Sequence, residues 1–233
     1  MTDSRWGYIQ ISMPRNARIV GPGYPHHIIQ RGNNREKVFL DKEDYEKYFS
    51  LLETYSEKKQ ISILAYCLMP NHIHLLLRPS EDDGLAKMMQ GIALCYTQYF
   101  NKKNERTGRL WECRYHSTVV DEERYLWAVC RYIENNPLRA QIVGKPEAYP
   151  YSSAKAHILG KQDPLLKEAL FDKSDLDEYK KFMKIEEDKQ LQEEIRHKTR
   201  SGRPLGGEDF LGTLSERLGC NLCFRAKGRP RKE

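Results

Sequence analysis

The chain has 233 residues, enough for one ordinary domain with an appendage or for two small ones. Hydrophobic residues make up 39% and charged residues 31%, so any core is concentrated in part of the chain, and apolar runs such as Leu75–Leu77 are far too short to span a bilayer. The net charge of +6 sits in residues 196–233, where ten Lys/Arg face four Asp/Glu, and a basic tail on a neutral body suits a nucleic-acid partner.

In chain order, residues 1–12 read as a disordered or non-native segment ahead of a possible start at Met13. Pro25 to Arg31 reads as a strand closed by the turn Gly32-Asn33-Asn34. Asp41 caps a helix to about Lys59, with Tyr45, Tyr48, Phe49, Leu52 and Tyr55 at helical spacing. Ile61 to Leu68 and His72 to Arg78 are strands joined by Met69-Pro70-Asn71. Gly84 to Lys103 repeats the helical period through Leu85, Met88, Met89, Ile92, Tyr96 and Tyr99. Leu110 to Val120 is a further strand, and Asp121 caps a helix that ends at Asn135 or Asn136, before Pro137. This order predicts an α+β fold: a ferredoxin-like split β-α-β domain, its antiparallel sheet carrying helices on one face, with one appended helix.

Past Pro150 the pattern thins. Residues 172–196 read as an exposed, charge-dense helix or linker, 199–206 as a loop, 210–218 as a short helix, and 225–232 as disordered in isolation. Three parts are therefore expected: 1–12, a domain over 13–160, and a charged helical linker with a basic tail over 161–233. Six cysteines show no framework spacing, which suits reduced thiols in the cytoplasm. Cys220-Asn-Leu-Cys223 lacks the second ligand pair of a zinc site.

Two features carry chemistry. His72-Ile73-His74 in a strand sends both imidazoles to one face, a metal half-site that still needs further ligands. The same spacing also describes two histidines on a solvated sheet surface. Adjacent His26 and His27 face opposite ways and do not share a metal easily. In the helix from Arg124, Tyr132 and Asn136 lie four apart on one face near its C-terminus, which also describes a packed tyrosine and a capping asparagine. Combined, they point to a tyrosine oxygen that attacks a phosphodiester and leaves a 5′-phosphotyrosine. A metal on His72, His74 and the Asn136 amide oxygen assists by polarising the phosphate, Mg²⁺ being abundant and Mn²⁺ better suited to nitrogen ligands.

Five ordered segments resemble the HUH single-tyrosine transposases of the IS200-like superfamily, and among them the REP-associated tyrosine transposases. They are Met13-Pro-Arg, Ile29-Gln-Arg-Gly-Asn-Asn-Arg35, Met69-Pro-Asn-His-Ile-His74, Gly108-Arg-Leu-Trp-Glu-Cys-Arg114 and Tyr132-Ile-Glu-Asn-Asn-Pro137. The resemblance covers roughly residues 13–159. It implies a metal-dependent nuclease and strand transferase for single-stranded DNA beside palindromic hairpins, with His72 and His74 as metal ligands, Tyr132 as nucleophile and Asn136 as the helical ligand. It also implies a cytoplasmic, nucleoid-associated protein, as a monomer or homodimer.

Candidate DNA contacts are the polar turn Arg31, Asn33, Asn34 and Arg35, and the group Arg109, Trp111 and Arg114, where an aromatic sits among cations. Trp111 also reads as ordinary core. Arg229 and Arg231 flank Pro230 in a segment like an AT-hook core. A hairpin-binding regulator that keeps the fold without catalysis is the alternative from another functional class.

Overall fold

Strand β1 (His26–Arg31) runs through the interior of a four-stranded sheet in a computed structural model that describes residues 18–171 and 173–222. It pairs antiparallel with β3 (His72–Pro79) on one side and β4 (His116–Val119) on the other, and β2 (Ile61–Met69) lies beyond β3, giving the order β2-β3-β1-β4. Helices α1 (Lys42–Lys58) and α2 (Gly84–Lys103) make the two crossovers, which is the ferredoxin-like arrangement expected. Residues 1–17, including Met13, and the tail with Cys223, Arg229 and Arg231 lie outside the described residues.

Period-two alternation sorts β3 between two cores. Ile73, Leu75 and Leu77 face α1 and α2, where Tyr48, Leu52, Met88, Ile92, Tyr96 and Phe100 close the first core. The Asp41 side chain caps α1 by accepting from the Asp44 amide at 3.2 Å. Gly91 lets α2 approach α1 closely, because a Cβ there would lie 2.1 Å from the Tyr55 ring. The fourth strand is shorter than expected. Its first half is an isolated bridge of Trp111 to Gly32, after which three exposed residues, Glu112, Cys113 and Arg114, leave the ladder before His116 rejoins it.

The opposite face of the sheet carries the appended helix α3 (Glu122–Glu134), extended past Asn135 by one short turn, α4 (Asn136–Arg139). Leu126, Val129, Cys130 and Ile133 pack there on Leu64, Cys67 and Leu76. The segment read as an exposed helix or linker is instead part of this second core. Helices α5 (Ala154–Leu159), α6 (Lys173–Lys184) and α7 (Lys189–Ser201) close around it, and α8 (Glu208–Leu218) follows. Tyr179 on α6 and Ile195 on α7 are 0% and 1% exposed. A stripe of Leu191, Ile195 and Thr199 at four-residue spacing is narrow, and the charged residues around it are partly or fully exposed. Burying Ile195 alone contributes about 2 kcal/mol. Beyond α7 the chain pairs Leu205 in parallel with Val120 and so covers the edge of the sheet beside β4. Among the described residues no helix is long and apolar enough to cross a membrane.

A buried carboxylate ties this second layer together. Glu134 is fully buried, and its oxygens accept from Ser153 Oγ at 2.6 Å, His157 Nδ1 at 2.6 Å and Tyr179 Oη at 2.9 Å. Removing the acceptor strands three buried donors, so Glu134→Ala is expected to cost about 3 kcal/mol, and Glu134→Gln less. Urea unfolding checks this. A midpoint unchanged in Glu134→Ala would show that the network contributes nothing to stability.

Candidate active site

The histidines of β3 face the second layer, on the same side as Leu76 and α3. His74 is 3% exposed and His72 is partly buried, so the pair sits at the floor of a cavity and not on a solvated sheet surface. Their ring centroids are 5.0 Å apart, and the Tyr132 ring stands 5.7 Å from His74, nearly perpendicular to it. His72, His74, Tyr132 and Asn136 together line a cavity of about 470 Å³.

The hydrogen bonds around these groups define which atoms face the cavity. Asn71 donates through Nδ2 to the Arg35 carbonyl at 3.1 Å, so its Oδ1 accepts from His72 Nδ1–H at 2.6 Å. His72 Nε2 is left with a free lone pair. His74 Nδ1 lies 3.0 Å from His27 Nε2, again leaving Nε2 toward the cavity. Asn136 commits its Nδ2 to the Tyr132 and Ile133 carbonyls at 2.9 and 3.0 Å, which leaves Oδ1 as an acceptor that could take a cation. Two imidazole nitrogens and one amide oxygen are a donor set that fits a divalent cation with open positions.

Burial keeps these imidazoles neutral, as metal ligands require. It lowers the His72 pKa to about 4 and, with the neighbouring His72 and His27 rings, holds His74 well below the usual range. His27, fully buried, is pushed down to about 3.

The remaining wall is cationic. Arg31 and Arg35 come from the end of β1 and the turn after it, and Arg196 and Arg200 come from α7. Glu112 is the single carboxylate of the lining, so the cavity favours an anion such as a phosphodiester. Arg196 and Tyr132 line the same cavity, and the Tyr132 hydroxyl is the main influence raising the Arg196 pKa above its ordinary value. Arg139 lies 4.5 Å over the Tyr132 ring and is anchored to Glu187 at 2.8 Å. Sequence reasoning missed Arg196, Arg200 and His116 as lining residues. Arg196 ends a segment read as exposed, Arg200 lies in one read as a loop, and His116 carries no motif.

The other expected contacts are dispersed. Asn33 and Asn34 occupy a 3₁₀ turn in which Asn34 and Arg35 adopt left-handed φ values of 51° and 61°. Gly32 before them admits no side chain, since a Cβ would lie 2.4 Å from the Glu36 carbonyl oxygen. Arg109 and Arg114 border a separate cavity of about 670 Å³ against α2. Trp111 is 7% exposed and packs with Tyr48 and Tyr96, so its ring shapes the wall of that cavity and does not offer an open face for stacking. A second group of metal-type side chains, Cys130, Glu134 and His157, is buried. Its carboxylate oxygens already accept three protein hydrogen bonds, so it serves as a packing network between α3, α5 and α6.

Residues 23–136 match the family model described as "Transposase IS200 like". A putative REP-associated tyrosine transposase of Haemophilus influenzae is 28% identical over 131 residues, covering 52% of this chain and 73% of that protein. The fold is similar to that of a REP-associated tyrosine transposase solved bound to a REP hairpin, with a TM-score of 0.50 and 16% identity over 70% of this chain and 96% of that one. The matched span runs from the approach to β1 through both cavity histidines to Tyr132 and Asn136, and over that span the chain is similar to the IS200-like transposase family.

Proposed function

We propose that the chain is a metal-dependent single-tyrosine nuclease and strand transferase acting on single-stranded DNA at palindromic hairpins. The observation that carries this reading is the meeting of Tyr132, His72, His74 and Asn136 of one chain in one arginine-lined cavity. The hairpin follows the REP-associated relatives, one of which was solved with a REP hairpin.

In this reading Arg31, Arg35, Arg196 and Arg200 bind the phosphates flanking the scissile bond. Tyr132 Oη attacks phosphorus, the bond from phosphorus to the 3′-oxygen breaks, and the phenolic proton is lost while the leaving oxygen gains one. The product is a 5′-phosphotyrosine and a free 3′-hydroxyl, and a second 3′-hydroxyl reverses the step to rejoin the strand. His72, His74 and Asn136 hold the cation, Mg²⁺ or Mn²⁺, which supplies Lewis-acid polarisation of the phosphate. The nuclease unit spans 13–160. From 161 onward the chain contributes α7 to the cavity, and the basic tail with Arg229 and Arg231 adds phosphate contacts; Arg109, Arg114 and the turn at Asn33 and Asn34 extend the DNA surface. Because the tyrosine and histidines of one chain meet, a monomer holds the parts for cleavage in cis, and a homodimer is compatible with the same site.

The test is incubation of purified protein with Mn²⁺ and a 3′-labelled single-stranded hairpin oligonucleotide. A detergent-stable protein–DNA adduct is expected, and it disappears when EDTA removes the metal. Tight hairpin binding without any adduct would sink the enzymatic reading in favour of a non-catalytic hairpin-binding regulator.

A further inference from the structure

We infer that Thr199 and His27 are positioning residues that hold His74 in the tautomer protonated on Nδ1, and so present its Nε2 lone pair to the cation. The inference deepens the proposed function and rests on His74 as a metal ligand. It starts from one hydroxyl proton. Thr199 Oγ1 donates to the Ile195 carbonyl at 2.7 Å, within α7. That proton is spent, so toward His27 Nδ1, 2.9 Å away, the hydroxyl oxygen can only accept. His27 must therefore carry its proton on Nδ1, and its Nε2 becomes an acceptor. His74 Nδ1, 3.0 Å from that nitrogen, must in turn donate. The result is an Nε2 without a proton.

The ring geometry agrees. The His27 and His74 planes are within 11° of parallel with centroids 5.3 Å apart, and with 3.0 Å between nitrogens this is an in-plane N–H···N bond, not face-to-face stacking. Thr199 and His27 are fully buried and His74 nearly so, so water has little access to replace a link. His72 reaches the same tautomer through Asn71. The difference is where the instruction comes from: the partner of His72 is its neighbour in sequence, whereas the chain to His74 begins 172 residues from His27. The helix that supplies Arg196 to the cavity therefore also orients a metal ligand, which makes α7 a structural part of the metal site. Outer hydrogen-bond partners of ligating histidines commonly set metal affinity by 10–100-fold.

The experiment uses ¹⁵N-histidine-labelled full chain, free of metal, read by long-range ¹H–¹⁵N correlation. His74 is expected with Nδ1 protonated in the parent protein. Thr199→Val keeps the shape but removes the acceptor, so His27 no longer prefers Nδ1–H, and a second His74 tautomer is expected. Calorimetric Mn²⁺ affinity should fall about 10-fold or more in this variant, and Thr199→Ser, which keeps the hydroxyl, should restore both readouts. Nε2-protonated His74 in the parent protein overturns the inference, as do an unchanged tautomer and an affinity within twofold in Thr199→Val. The parent spectrum decides even where Thr199→Val folds poorly. If the parent protein takes up no Mn²⁺, the metal-site reading falls separately, and the tautomer of His74 still tests the relay.

Discussion

Replacing Tyr132 with phenylalanine is expected to abolish the covalent protein–DNA adduct and to lower strand cleavage by at least about 10³-fold, with hairpin affinity changed by no more than a few-fold. The split follows from how the side chain is held. Tyr132 is 5% exposed, and its ring is fixed by edge contacts to His27 and His74, both at 5.7 Å, and by the Arg139 guanidinium 4.5 Å above it. All of these contacts involve the ring, which phenylalanine keeps. Only the oxygen is lost, and with it the proposed nucleophile. Denaturing gels on a 3′-labelled hairpin read the adduct, and gel shift on the same oligonucleotide reads binding. An adduct that persists in Tyr132→Phe would move the nucleophile elsewhere. Tyr125, half-buried on α3 beside Arg124, is the first alternative to replace.

The second large effect is acid instability well above the carboxylate range. Burial lowers the folded-state pKa of His26 to about 4 and of His27 to about 3, and holds His74 far below its ordinary value. In the unfolded chain each histidine titrates near ~6.5. Above that pH both states are neutral, and the groups cost nothing. As pH falls from about 6.5 toward 4 the unfolded chain takes up protons that the folded one refuses, so stability is lost through this window. Each group contributes about 1.4 kcal/mol per pH unit, and the three together about 4. For a chain of this size that corresponds to roughly 10 °C in melting temperature per pH unit. Thermal melts at pH 7.5, 6.0 and 5.0 with EDTA present measure it. A melting temperature that holds steady across this series would show that the buried rings are protonated or hydrated in the fold. Mn²⁺ bound to His72 and His74 should oppose the loss by mass action, because protonated imidazoles do not ligate.

The buried His26–His27 pair shows where sequence reasoning stopped. Alternation correctly separates the two rings: His26 turns back to the Tyr24 carbonyl, while His27 joins the His74 side. The partner of His27 is Thr199 on α7, which joins the fold from far down the chain, whereas His26 is held locally by Gly21 and Tyr24. The first core makes the same point. Tyr66 and Leu68 share a core with Ile61 and Ile63 only because the ladder of β2 slips by one residue between Ile63 and Ala65. No period in the sequence marks that bulge, since every residue from Ile63 to Met69 is buried.

By itself, the sequence determined the six-element order, the helix start at Asp41, the common face of His72 and His74, and the four-residue separation of Tyr132 and Asn136. All of these are local: they follow from caps, turns and periods of 2 and 3.6, which act over a few residues. The tertiary structure alone decided that α3 lies on the sheet face opposite α1 and α2, that Trp111 is enclosed, and that α7 brings Arg196, Thr199 and Arg200 to the histidines. Those outcomes depend on which buried surfaces meet between elements distant in the chain, up to 172 residues apart for His27 and Thr199. A narrow apolar stripe on a charged helix shows that one face is buried, but not what it is buried against.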